Sequence, residues 1–287
     1  MTSPLLAIPN VSEGRDQRAI AAIADAFDAR LLGVHADPDH HRSVFTLAGE
    51  PGALARAVSQ GAREALARVD LRTHRGVHPR VGVLDVAPIV YLDDGARGAA
   101  CAEALVLADL LADELGLPVF LYGQLAAGRS RAELRRGGPA ELARRIEAEG
   151  LRPDFGPPRM HPSAGATLVG ARPPLIAFNV ELAAPATVQD ARDIAARIRE
   201  GGPEGLASVR ALGLWLSRRG VAQVSVNVED DRATSLADVI AAVRRHARVA
   251  EAELVGLAPQ RALEGFPHDV PVRNRRTVEH ALRATAQ

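Results

Sequence analysis

The sequence predicts an α/β (α+β) protein of two ferredoxin-like split-βαβ subdomains, residues 1–173 and 174–287, with a ligand cleft between them. Three observations predict it. Strand and helix periodicities succeed one another in the order β-α-β-β-α-β, and then do so again. Arg172-Pro173-Pro174 separates the two runs, because consecutive prolines break both helix and sheet. The chain of 287 residues, 47% hydrophobic and 24% charged, is long for one ordinary core and suits two folded units. Clefts for small molecules commonly form where two such units meet.

In the first half, Leu5 to Pro9 reads as a short strand that stops at Asn10. Asp16 to Arg30 places Ile20, Ile23 and Phe27 on one helical face. Leu31 to Ala36 and Ser43 to Leu47 read as strands, the second alternating Val44 and Thr46 with Phe45 and Leu47. Pro51 opens a helix through Leu54, Val58 and Leu66, since proline suits a first turn. Asp85 to Leu92 is a strand, Ala100 to Leu115 a helix ended by Gly116, and Pro118 to Gly123 a strand. In the second half, the strand Leu175 to Leu182 precedes a helix marked by Val188, Ala191, Ile194 and Ile198. Strands around Leu212 to Ser217 and Ala222 to Val228 follow. A helix started by Ser235 and Asp238 and a strand at Glu253 to Leu257 close the pattern. Tyr122, Phe178 and Trp215 are expected in the cores.

Composition removes several classes of function. Formal net charge is zero, which argues against bulk attraction to nucleic acid or an anionic membrane. No apolar run is long enough to cross a bilayer, and Met1 to Asn10 has no secretory pattern. Cys101 is the only cysteine, so an internal disulfide and a cysteine-based zinc site are excluded; a reducing cytoplasm is the expected location. The sequence contains no lysine. That excludes Schiff-base and pyridoxal phosphate enzymes, a P-loop and a kinase-type phosphate lysine.

The loop Arg72 to Gly82 is the richest in polar chemistry. Pro79 biases His78 toward an extended backbone, while Gly76 and Gly82 allow bends on either side. An imidazole suits proton transfer near neutral pH, and Arg80 beside it can hold a carboxylate through two parallel hydrogen bonds. The plain alternative is a surface loop whose histidines do nothing. His35-Ala36-Asp37-Pro38-Asp39-His40-His41 gathers five possible ligands, but its spacing fits no standard zinc motif. A solvated turn is the expectation there, and no metal is expected. Gly156-Pro157-Pro158-Arg159-Met160-His161-Pro162-Ser163-Ala164-Gly165 can bring backbone donors close to a flat ligand or an anion, or can be a linker.

Nine stretches in order resemble the glutamate formiminotransferase (glutamate formimidoyltransferase) family. They are Ile8 to Arg15, Arg42 to Gly49, His78 to Val86, Val119 to Gly123, Pro153 to Pro157, Gly165 to Arg172, Ala177 to Val180, Ala222 to Asn227 and Glu253 to Leu257. The resemblance runs through both halves of a formiminotransferase domain, the second shortened between Leu263 and Arg273. The helical cyclodeaminase domain fused to some members is not expected in this chain. Such a resemblance implies transfer of a formimino group from N-formimino-L-glutamate to N5 of tetrahydrofolate, releasing glutamate, a step of histidine degradation and one-carbon metabolism. It places the catalytic histidine on His78. Folate contacts fall on Gly156 to Gly165 and on Glu204-Gly205-Leu206-Ala207-Ser208-Val209-Arg210-Ala211-Leu212-Gly213.

With that reaction, one histidine takes the N5 proton and returns it to the departing glutamate nitrogen. Asn10 and nearby amides are expected to face the tetrahedral intermediate, and Arg42, Arg80 and Arg172 the carboxylates of formiminoglutamate or the folate tail. A homodimer is expected, as the commonest oligomer and because family members associate. Familiar members carry an acidic residue at His35, asparagine at His41 and glutamate at Val77. His35 therefore leaves room for formyl transfer with N-formylglutamate. Val77 and the shortened second half leave room for a folate-binding or assembly protein without turnover.

Overall fold

The structure, a computed structural model, describes residues 4–284. The chain divides into two units, Met1–Pro173 and Pro174–Gln287. In the first, Leu5–Ala7 (β1) and Asn10–Val11 (β2) share one position in a mixed sheet. Pro9 interrupts them because it has no N–H for the ladder. Strand character therefore resumes at Asn10, where the periodicity suggested that it stops.

Asp16 caps the next helix, Gln17–Ala26 (α1), its carboxylate accepting from the N–H groups of Arg18 and Ala19. The helix is shorter than its apolar spacing suggests. Phe27 already has extended backbone and packs its ring against Phe45, with centroids 5.1 Å apart and the planes tilted by 56°. Arg30–Asp37 (β3) and Arg42–Gly49 (β4) form a hairpin, Leu54–Arg68 (α2) follows, and Leu84–Val90 (β5) returns to the sheet. Across the sheet the order is β3, β4, the shared β1/β2 position, then β5, all antiparallel neighbours.

The unit then extends beyond this pattern. Arg97–Leu115 (α3) leads to Val119–Leu121 (β6). Two helices, Arg131–Arg135 (α4) and Gly138–Glu147 (α5), precede Thr167–Arg172 (β7), which lies parallel between β5 and β6. Alternate residues of β6 and β7 serve opposite faces. Val119, Leu121 and Val169 join the core with Leu107 and Leu111 of α3. Phe120 and Leu168 join Leu134, Leu142 and Ile146 of α4 and α5.

The second unit carries Ile176–Leu182 (β8), Val188–Ile198 (α6), Val209–Leu216 (β9), Val221–Val228 (β10), Leu236–Arg244 (α7), Val249–Val255 (β11), Val272–Arg273 (β12) and Val278–Ala284 (α8). Its sheet order is β12-β11-β8-β10-β9. Both α6 and α7 start with a reciprocal capping box, Thr187 with Asp190 and Ser235 with Asp238. Phe178, Val180, Val224 and Leu254 form a core with Ile194, Ile198, Val239 and Val243. Trp215 does not join it and is 41% exposed. The alternate residues Asn179, Glu181, Gln223 and Glu253 are buried polar groups. Burial pushes the Glu181 carboxyl up to about 7, even with Arg273 at 2.6 Å and Arg219 at 2.9 Å.

Candidate active site

Three loops of the first unit meet around His78. The turn between β3 and β4 is organised by Asp37, whose carboxylate accepts from the N–H groups of Asp39 and His40 and from Nδ1 of His40 at 2.9 Å. Burial works to raise Asp37, but these hydrogen bonds and the His40 ring outweigh it and hold the carboxyl well below its usual range. The segment after β2 closes on this turn, with the Gly14 N–H donating to Nδ1 of His41 at 3.1 Å and Ser43 Oγ donating to the Glu13 carbonyl at 2.5 Å. The third loop, His74 to Arg80, enters at Gly76. A Cβ there would lie 2.5 Å from the His40 carbonyl oxygen and 2.8 Å from the His41 Cβ, so only glycine fits.

His78 is partly buried, and its Nε2 lies 2.7 Å from Nη1 of Arg42, the first residue of β4. Its ring centroid is 6.0 Å from that of His40. Desolvation, then the positive charges of Arg42 and Arg135, push the imidazole well below its ordinary value. Arg42 is likewise lowered, to about 10, by burial and by Arg135. Among the described residues its guanidinium makes one side-chain hydrogen bond, the one to His78, and pairs with no carboxylate.

The other positions expected from sequence take distinct roles. Both terminal nitrogens of Arg80 donate to carbonyls of its own loop, at Gly76, His78 and His74, so its guanidinium braces the loop. His74 is buried and donates from Nε2 to the His41 carbonyl at 2.8 Å, while its ring stacks on His41 at 4.1 Å. Its Nε2 is thus committed to the fold, while its buried Nδ1 has no hydrogen-bond partner among the described residues. The Asn10 amide donates to the Ile8 carbonyl at 2.9 Å, and Arg172 donates to the Pro173 carbonyl at 2.9 Å. Val77 is exposed.

Segment Gly156 to Gly165 is tied to the His78 loop through main chain. The Leu71 N–H donates to the Ser163 carbonyl at 2.8 Å, Val83 to Ala164 at 2.8 Å, and Ala166 to Val81 at 3.0 Å. His161 Nδ1 accepts from the Ala164 N–H at 3.0 Å and so shapes the turn. Segment Glu204 to Gly213 lies in the second unit, partly on β9, where Val209 and Ala211 enter the core. Glu204 there pairs with Arg245 at 3.1 Å and His246 at 2.9 Å.

Two participants escaped sequence reading. Arg135 of α4 pairs with Asp85 of β5, whose other oxygen accepts the Val81 N–H at 2.7 Å. The pair pins the end of the His78 loop to α4 and puts a second cation near His78. Arg131, on the same helix, lies 5.5 Å from the Tyr122 ring centroid. Ser130 and Glu133 have capping-box spacing, which marks a helix start at Arg131 but not its partners.

Fold and site together define a two-unit α/β protein in which an uncharged imidazole meets an arginine without a carboxylate, an arrangement fit for proton transfer beside a bound anion. The chain belongs to the formiminotransferase domain family: the N-terminal subdomain profile matches residues 5–172 and the formiminotransferase domain profile matches 177–268. It is 38% identical over 277 residues to the formimidoyltransferase-cyclodeaminase of Rattus norvegicus, covering 89% of this chain and 50% of that protein. It is 35% identical to the glutamate formimidoyltransferase of Streptococcus pyogenes, over 89% of both chains. It is 34% identical to that of Thermoplasma acidophilum, over 89% of this chain and 88% of the relative. The chain thus spans about half the length of the rat protein.

Proposed function

We propose that this protein transfers the formimino group of N-formimino-L-glutamate to N5 of tetrahydrofolate, as a glutamate formimidoyltransferase. The observation that carries the reading is His78. It is the one imidazole of its loop whose ring nitrogen meets an ionisable side chain instead of a backbone group, in a chain of this family. In this reading N5 attacks the formimino carbon, and its proton passes to Nε2 of His78. The same proton then goes to the glutamate nitrogen as the bond from that nitrogen to the formimino carbon breaks, so His78 ends each cycle as it began. Arg42 is the better placed of the proposed carboxylate holders, since Arg80 is spent on its own loop.

The reading takes tetrahydrofolate as cosubstrate, with contacts from Gly156 to Gly165 and from Glu204 to Gly213, and residues 1–173 and 174–287 as the two subdomains. Ferredoxin-like architecture is supported by the strand orders: with strand positions numbered along the chain, both units contain the run 2-3-1-4 or its reverse. A folate cleft between the units and a homodimer belong to the same proposal and rest on the family resemblance, and a cytoplasmic setting rests on the single cysteine, Cys101.

The test is His78→Ala. Turnover, followed by folate absorbance with formiminoglutamate and with formylglutamate as rival donors, should fall by about 10²- to 10⁴-fold, while tetrahydrofolate affinity changes little. Near-normal turnover in a folded variant removes His78 from the chemistry. Turnover with formylglutamate alone reassigns the donor.

A further inference from the structure

We infer that Arg42 is a substrate-released cap on His78. In the free protein its guanidinium occupies the lone pair of Nε2, and the α-carboxylate of the donor draws it away, exposing the nitrogen that takes the N5 proton. The inference rests on the reading of His78 as the catalytic base.

A guanidinium only donates hydrogen bonds, and a neutral imidazole offers one lone pair. At 2.7 Å from Arg42 Nη1, Nε2 must be the acceptor, so the ring proton sits on Nδ1. The base is therefore occupied in the free protein. Its occupant is poorly compensated: Arg42 has five donors, one side-chain hydrogen bond and no carboxylate among the described residues. A partly buried cation without a carboxylate partner favours an incoming anion, to which it can give two parallel hydrogen bonds.

The charged groups facing the pair single out Arg42 as the movable one. His78 is faced by Arg42 from β4, Arg135 from α4 and His40 from the turn after β3. Arg42 is faced by Arg135 and Arg131 of α4, Asp85 of β5 and Asp37 of β3. Arg135 is already neutralised by Asp85, and His40 donates to Asp37.

Chemistry selects the donor as the source of the carboxylate. In formiminoglutamate the α-carboxylate is borne by the same carbon as the nitrogen that must receive the proton. A residue touching that nitrogen and one touching that carboxylate must be neighbours, as His78 and Arg42 are. The carboxylates of folate lie beyond a p-aminobenzoyl group from N5. Loss of a cation in contact raises an imidazole, so the bound donor both frees and strengthens the base.

The experiment is histidine NMR on the full chain, with the His78 signal assigned by its loss in His78→Gln. L-Glutamate, the product that retains the donor's carboxylates, should raise the His78 titration midpoint by about one pH unit or more. Tetrahydropteroate, which lacks the folate glutamate, should not. In Arg42→Gln, His78 should titrate nearer the ordinary histidine range without ligand and ignore glutamate. Kinetics give a parallel reading: the acid limb of kcat, which reports the complex, should lie above that of kcat/KM, and Arg42→Gln should bring them together.

A His78 midpoint indifferent to glutamate overturns the inference in the wild-type protein alone, even if Arg42→Gln fails to fold. A response to tetrahydrofolate but to neither glutamate nor tetrahydropteroate overturns the donor as the source. Full turnover in His78→Ala together with a glutamate-dependent His78 midpoint would sink the base assignment and leave the carboxylate exchange standing.

Discussion

His74 and His78 lie four positions apart and carry the same side chain, yet the fold gives them opposite employment. His74 is 4% exposed, and burial lowers its imidazole to about 4 although its hydrogen bond to the His41 carbonyl acts to raise it. An unfolded chain would protonate this group near its ordinary value of 6.5, whereas the folded one resists until about pH 4. Between those values the unfolded state binds more protons, so stability is complete above pH 6.5 and falls as pH drops toward 4. The loss attributable to His74 is at most about 3 kcal/mol. His78 and His41 are lowered too and add to the same slope. His74→Gln, whose amide can still donate to the His41 carbonyl, should flatten the decline in stability between pH 7 and pH 5 measured by denaturant unfolding. An unchanged slope would show that His74 titrates like a solvated histidine.

At the scale of elements, the site depends on two loops held together by main chain, and glycine makes that contact possible. A Cβ on Gly82 would lie 2.0 Å from the Ala166 carbonyl oxygen, and one on Gly165, where φ is +74°, would lie 2.2 Å from that of Val81. Backbone cannot swing aside as a side chain can. Gly82→Ala should therefore cost about 1–3 kcal/mol in thermal or denaturant unfolding and weaken the folate binding proposed for Gly156 to Gly165. Wild-type stability in that variant would mean that the loops part easily.

The same contact explains what sequence could and could not reveal. Elements dense in apolar residues, such as β4, β10 and α3, are legible from composition alone, although β4 is buried on both faces and α3 leaves Leu105 and Val106 exposed. The helices α4 and α5 are not, since only Leu134, Leu142 and Ile146 in this arginine- and glutamate-rich stretch are buried. Phe27 extends the apolar spacing of α1 but belongs to the extended chain after it. In the site, residue type and Pro79 make His78 a candidate, and its choice over His74 comes from the family resemblance. Its partner Arg42 is 36 positions away, and Arg135 meets Asp85 across 50. Such pairings are set by strand register and helix docking, which no local pattern encodes.

For the whole molecule, the two units have separate hydrophobic cores, one around Phe45, Leu107 and Leu111, the other around Phe178, Val224 and Val239. Each therefore has the means to fold alone. The proposed base His78 and its cap Arg42, with Asp37, His40, Asp85 and Arg135 around them, all belong to the first unit. The proposed folate contacts are shared, because Glu204 to Gly213 belong to the second. Separate expression of residues 1–173 and 174–287 should thus divide the properties unequally. Each piece should unfold cooperatively, the sign of an independent core. The first should keep the Arg42–His78 contact and its response to glutamate, read by histidine NMR, yet bind tetrahydrofolate much more weakly than the full chain. The second should show neither response nor turnover. If the first piece folds but loses the glutamate response, the second unit contributes to the carboxylate site and Arg42 does not act alone. If it keeps full folate affinity, the assignment of Glu204 to Gly213 to the folate site fails.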